Sequence, residues 1–277
     1  NLEDKLMKKL LALIMAVLMT VTMFAGCGST ASGDDWSYIS NKGEMIIGIT
    51  YFAPMNYLDE NGKLVGFDTE LAEKVFADLG YTPSFKLIEG TNKDTDLNSG
   101  VIDCIWNGFT CNAADDDGIQ RSEKVDFTYR YMENQQAIVV KKGSGITGAA
   151  DLAGKIATAE AGSAGESYAK GFTGTTYKSV TKQTDGLMEV NSKTADFAVV
   201  DIQLAKSYCG KGDYADLEIV EALCSDLEYY AIGFKKGSEL TAKVNDAIKQ
   251  LEENGKLLEL AKKYGFENVL QVSETIE

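Results

Sequence analysis

The sequence predicts an α/β protein of two lobes, each a parallel-rich sheet flanked by helices, with the second lobe inserted into the first. Three observations predict it. From Met45 to Trp106, apolar extended runs alternate with helical repeats, the order that yields a parallel sheet. A second alternation of the same kind fills Lys155 to Val220. Between and after them, Ile138-Val139-Val140-Lys141-Lys142-Gly143-Ser144 and Ile232-Gly233-Phe234-Lys235-Lys236-Gly237-Ser238 share one turn after one kind of apolar run. Two adjacent crossing strands with a hinge would produce that pattern, and so would two unrelated surface turns. The division that follows is 44–138 with 233–277 as lobe 1 and 139–232 as lobe 2.

Taken in order, Met45 to Thr50 is a β-branched run that ends in Tyr51-Phe52-Ala53-Pro54, and Asn61-Gly62 marks a turn. Leu71, Ala72, Val75, Phe76 and Leu79 repeat at helical spacing, with Asp68 or Thr69 as N-cap and Gly80 as terminator. Phe85 to Ile88 reads as a strand and Asp94 to Ser99 as a short helix. Val101 to Trp106 is too short for a helix and reads as a central strand, followed by Asn107-Gly108-Phe109-Thr110. In open α/β sheets small molecules bind just beyond such strand ends. In the second set, Lys155 to Glu160, Ala195 to Val200 and Leu217 to Val220 are strands. Leu240, Val244, Ala247, Ile248 and Leu251, then Leu257, Leu258, Leu260 and Ala261, read as two helices that return to cover lobe 1.

Composition narrows the function. Forty-two acidic against 27 basic residues give a formal charge of −15, which repels nucleic acid and anionic headgroups. Histidine is absent, so the commonest general base and metal ligand is missing. Asp115-Asp116-Asp117 lacks the alternating spacing of an EF-hand loop, and no metal or cofactor is expected. Met7-Lys8-Lys9 followed by an apolar run to Phe24 has the features of a secretory signal peptide over residues 1–26, with 1–6 as upstream remnant. Phe24-Ala25-Gly26-Cys27 resembles the lipobox of bacterial lipoproteins, which implies diacylation of Cys27; plain secretion is the alternative. Residues 27–43 would form the tether. The protein is then expected on the outer face of the cytoplasmic membrane, touching the bilayer only through its lipid. Cys104, Cys111, Cys209 and Cys224 allow three disulfide pairings or four buried thiols.

Gly66-Phe67-Asp68-Thr69-Glu70-Leu71-Ala72-Glu73-Lys74-Val75, Leu97-Asn98-Ser99-Gly100-Val101-Ile102-Asp103, Asn107-Gly108-Phe109-Thr110 and Lys124-Val125-Asp126-Phe127-Thr128 occur in this order. Together they resemble the solute-binding proteins of bacterial polar amino-acid ABC importers over about Glu44 to Phe266. The resemblance implies the type II periplasmic binding protein fold, a monomer without catalytic residues, and an amino acid or related amine captured between lobes for an ABC permease. A ligand sensor for a signalling partner is the first alternative. The second is an arogenate-dehydratase-like enzyme, for which Glu160 would be the proton donor.

The same resemblance suggests the site. Asp201 holds the ammonium position, with a helix N-cap for Ile202 to Tyr208 as the alternative at the same place. Glu160 and the loop Gly162-Ser163-Ala164-Gly165 stand before a helix start that favours an anion, or form only a flexible turn. Tyr51 and Phe52 match the aromatic wall, and Asn107, Gly108 and Thr110 the polar contacts of lobe 1. Two positions depart from the pattern. Where the carboxylate-binding arginine normally falls there is Asp115, and Arg121 becomes the candidate only through an insertion; a surface loop is the other possibility. Gly90 replaces an aromatic residue, which would widen the pocket or remove a wall.

Overall fold

A computed structural model describes residues 35–115 and 117–275. The signal-peptide and Cys27 expectations, and Asp116, lie outside those residues. Two five-stranded sheets organise the chain. The first has the order Thr82–Leu87, Glu44–Ile49, Cys104–Ile105, Gly233–Lys235, Val125–Phe127. Its first three strands are parallel, and Gly233–Lys235 runs antiparallel to both neighbours. The second sheet has the order Thr176–Val180, Ile156–Glu160, Phe197–Asp201, Gln136–Lys141, Leu217–Ile219, again with three parallel strands followed by antiparallel pairs. The α/β architecture in two sheet-containing lobes is therefore the one the alternation predicts.

The chain passes between these sheets through a third, small antiparallel one. Arg130–Asn134 lies at its centre, with Glu228–Tyr230 and Leu270–Ser273 on either side. The strand Gln136–Lys141, on both sides of position 138, pairs wholly within the second sheet. On the return, Glu228–Tyr230 leads directly into Gly233–Lys235 of the first.

Local sequence explains most elements and four departures. Phe67–Leu79 buries Leu71, Ala72, Val75 and Phe76 and ends at Gly80 in the left-handed region, as expected. Its N-cap is Gly66, not Asp68 or Thr69, because both side chains point inward: Asp68 accepts from Gly108 N and Tyr131 OH, each at 2.7 Å, and Thr69 donates to Asn56. The run from Val101 is strand only at Cys104–Ile105; Gly100 turns the chain at φ +76° and Val101 is left 36% exposed. Helices Leu240–Glu253 and Lys256–Tyr264 bury the predicted stripe except Leu258, which is 42% exposed on the outer face.

The fourth departure concerns the tether. Its second half is a helix, Asp35–Lys42, packed on the first lobe: Ile39 is buried, Trp36 meets Tyr81 edge-to-face at 5.1 Å, and Lys42 pairs with Asp103 at 2.8 Å. An aromatic pair of this kind contributes about 0.5–1.5 kcal/mol beyond its buried area, which adds to the burial of Ile39 and the Lys42–Asp103 pair in holding the helix on the lobe. Among the described residues no disulfide forms: Cys104 and Cys111 are buried and Cys209 and Cys224 partly so, and burial pushes the Cys111 thiol up to about 12.

Candidate binding cleft

The carboxyl ends of both sheets face one narrow cavity of about 70 Å³. The lobes touch across it: Arg121 Nη2 reaches Gly162 O at 3.4 Å, and Gly90 lies against Ala161. The first lobe lines it with Thr50, Asn107, Gly108, Phe109, Thr110, Lys93 and Arg121; the second brings Glu160, Gly162, Ser163, Ala164, Gln183 and Asp201.

The first-lobe wall is built on the turn after Cys104–Ile105. Gly108 sits at φ +54°, and a Cβ there would come within 2.6 Å of the Phe52 ring, so only glycine fits. Its N–H goes to buried Asp68 and not into the cavity. Asn107 donates to Thr50 Oγ1 and accepts from Asn56, both at 2.8 Å, which fixes its amide.

Arg121 reaches the cleft; it is 4% exposed and lies 4.8 Å over the Phe109 ring. Its Nε donates to Asp115 at 3.0 Å, Nη1 to Thr110 O at 3.2 Å and Nη2 to Gly162 O at 3.4 Å across the cleft. Three of five donors are thus taken among the described residues, leaving one N–H on each terminal nitrogen. Asp115 therefore anchors the arginine instead of replacing it. Lys124 at 2.8 Å and Lys93 at 3.8 Å share that carboxylate. Against burial, these partners hold Asp115 below the usual carboxylate range. Burial, with Arg121 nearby, lowers Lys93.

The opposite wall is anionic. Asp201 begins the helix Ile202–Tyr208, yet its side chain makes no cap hydrogen bond. Its carboxylate instead receives Asn134 at 2.5 Å, Gln136 at 3.0 Å, Tyr230 OH at 2.8 Å and Gln183 at 2.5 Å. Burial still raises its pKa against all four donors. Glu160 accepts from Gln183 N at 3.1 Å; burial, then the charge of Asp201, pushes it up to about 8. Ser163 caps the helix Ala164–Lys170 by accepting from Glu166 N at 3.0 Å. Gly162 N is taken by Glu166 at 2.6 Å, which leaves the first-turn amides of the helix Ala164–Lys170 as the donors an anion would use; of its first two residues Ala164 lines the cavity.

Two expectations are corrected. Tyr51 and Phe52 do not line the cavity: Phe52 is buried edge-to-face on Tyr230 at 6.3 Å, where its backbone pairs with Asn56, and Tyr51 faces an outer groove with Leu58 and Leu87. Phe109 supplies the aromatic surface instead. Gly90 does not widen the pocket, since a Cβ there would lie 2.6 Å from Ala161 O: the space is taken by the second lobe's own loop. Reasoning from sequence missed Lys93, Gln183, Asn134, Gln136 and Glu228. None stands in a motif: Asn134, Gln136 and Glu228 arrive on the strands at the crossings, and Lys93 and Gln183 at the starts of the helices Lys93–Asn98 and Gln183–Asn191.

Two α/β lobes closed over a cavity with a guanidinium on one wall and carboxylates on the other define a capturing, two-lobed binding protein. The chain belongs to the bacterial extracellular solute-binding proteins, family 3, whose pattern matches residues 45–268, and such proteins work outside the cytoplasm. It is 32% identical over 262 residues to the arginine-binding extracellular protein ArtP of Bacillus subtilis (strain 168), covering 93% of this chain and 98% of that one. An ABC uptake transporter substrate-binding protein from Streptococcus pneumoniae with bound histidine superposes with a TM-score of 0.77 at 31% identity, over 87% of this chain and 100% of that one. A mutant of ArgBP from T. maritima gives 0.75 at 28% identity, over 83% and 98%.

Proposed function

We propose that the protein captures an amino acid or related amine between its lobes and delivers it to an ABC permease, acting as a monomer tethered through Cys27. One observation carries the ligand class: Arg121, with two N–H groups to offer, lines the cavity from the first lobe, while Asp201 and Glu160 line it from the second, where Ala164 adds the start of a helix. A zwitterion matches that polarity, its carboxylate on the guanidinium and amides and its ammonium on Asp201. The additional acid, Glu160, suits a ligand with a second cationic group that displaces its proton on binding, in line with the arginine named for ArtP. Closure desolvates every charge, so a ligand short of either group would leave buried partners unmatched.

The site residues in this assignment are Arg121, Thr110, Asn107, Glu160, Ser163, Ala164, Gly165 and Asp201, with Phe109 as wall. The third sheet serves as hinge, because Arg130–Asn134 and Glu228–Tyr230 carry the two crossings. A thermal-shift screen of amino acids and small amines tests the assignment. A ligand that binds only the folded chain stabilises it by about 2.7 kcal/mol at 100 times its Kd, or roughly 5–11 °C for a chain of this size. No shift with any amine at millimolar concentration would remove it.

A second reading rests on Glu160 alone, whose carboxyl holds a proton near neutral pH inside the cleft and would suit a dehydratase. Turnover of an arogenate-like acid by the wild type, lost in Glu160→Gln, would establish it; the absence of any turnover leaves a binding protein.

A further inference from the structure

Behind Asp201 stands a second carboxylate that the cleft's polarity does not call for. Glu228 lies on the returning strand of the third sheet, and its Oε2 shares both amide donors of Asp201 Oδ1. Asn134 Nδ2 donates to Asp201 at 2.5 Å and to Glu228 at 3.2 Å; Gln136 Nε2 donates to them at 3.0 and 2.9 Å. Two acceptors thus rest on the same two NH2 groups, with Thr110 Oγ1 a further donor to Glu228 at 3.4 Å. Asn134 Oδ1 is buried without a partner, and turning the amide to satisfy it would aim an oxygen at two carboxylates.

We propose that Glu228 is a positioning residue for the ammonium group held by Asp201, and that the two carboxylates share one proton which the arriving cation displaces to solvent. This rests on the amine assignment above. Two carboxylates that share the same donors, Asp201 buried and Glu228 part-buried, cannot both ionise cheaply, whereas a cation between or beside them removes the repulsion. The surroundings do little to supply that cation. Arg121 acts on Glu228 from the first lobe but is tied to Asp115, Arg130 lies over the Tyr229 ring at 3.7 Å, and the other acids are Glu160, which acts on Asp201, and Asp226, which with Glu228 acts on Tyr168. The Tyr230 and Tyr168 hydroxyls complete the set, the first bound to Asp201 and the second to Leu223 O. In keeping with this, burial and then Asp201 push Glu228 up to about 7.

The test is calorimetry of the full chain with L-arginine at pH 6, 7 and 8, in buffers of different ionisation heat. Wild type is expected to release up to one proton per arginine from the Asp201–Glu228 pair, beside any released by Glu160, and to bind more tightly as pH rises, by at most tenfold per unit for each proton released. Glu228→Gln keeps the side-chain volume and should flatten the profile, while Glu160→Gln should retain the part due to Glu228. An unchanged profile and proton count in Glu228→Gln overturns the positioning role and leaves the amine assignment standing. Failure of L-arginine, L-lysine and L-histidine to bind wild type at pH 8 overturns both. A ligand-free carbon-13 titration gives a readout that needs no variant to fold beyond assignment by Glu228→Asp: a Glu228 carboxyl midpoint in the neutral range supports the shared proton, and one below 5 ends it.

Discussion

Asp201 has four side-chain donors on its carboxylate and none of them is charged, so its negative charge is held in place but not neutralised. Hydrogen bonds to charged groups contribute about 1.5–3 kcal/mol. At 1.4 kcal/mol per factor of ten, Asp201→Asn is expected to weaken an amine ligand about 10–150-fold with the fold intact, as calorimetry and circular dichroism would show. Arg121 has two N–H groups to offer and a cation-favouring ring beneath it. Arg121→Ala should weaken a carboxylate-bearing ligand by about tenfold or more and leave a decarboxylated amine nearly unaffected. Equal losses for both ligands would show that Arg121 serves only to hold Asp115 and the Thr110 carbonyl.

The loops that meet across the cleft decide how far it closes. Gly90 and Gly162 approach backbone to backbone: a Cβ on Gly90 would sit 2.6 Å from Ala161 O, and one on Gly162 2.7 Å from Gly90 O. Neither neighbour is a flexible side chain that can swing aside. Gly90→Val is therefore expected to hold the lobes apart and weaken ligand binding at least tenfold, with little change in the melting temperature of the ligand-free chain. Small-angle scattering should show a ligand-bound variant more open than the wild type. An unaltered affinity would mean that the contact is incidental to closure.

Over the whole molecule, buried acids set an unusual response to pH. Glu160 is pushed up to about 8, and Asp68 and Glu228 to about 7, chiefly by burial. Between about pH 5 and 8 the folded chain therefore binds more protons than the unfolded one, and stability rises as pH falls through that range. Below it this contribution stays constant, while Asp115 and Glu70, both held under the usual carboxylate range, begin to lose theirs. The ligand-free protein should melt highest near pH 5 and several degrees lower at pH 8. Glu160→Gln should reduce that difference, and a melting temperature that climbs from pH 5 to 8 would contradict it.

Much of this was present in the chain before folding. The alternation of apolar runs and helical repeats, the twin Lys-Lys-Gly-Ser turns and the ordered motifs around Phe67, Asn98, Asn107 and Val125 determined two α/β lobes, because periodicity and turn chemistry are local. Asp201 and the Gly162–Gly165 loop could be named only because the resemblance assigns roles to those positions at predicted strand ends. Only tertiary structure decided the rest. Whether Arg121 points into the cleft depends on Asp115 six residues away, and whether Gly90 widens it depends on a loop 71 positions later. Glu228 becomes part of the site only because the third sheet places its strand beside Arg130–Asn134. Residues far apart in sequence acquire their charge states from one another's burial, and no spacing along the chain encodes that.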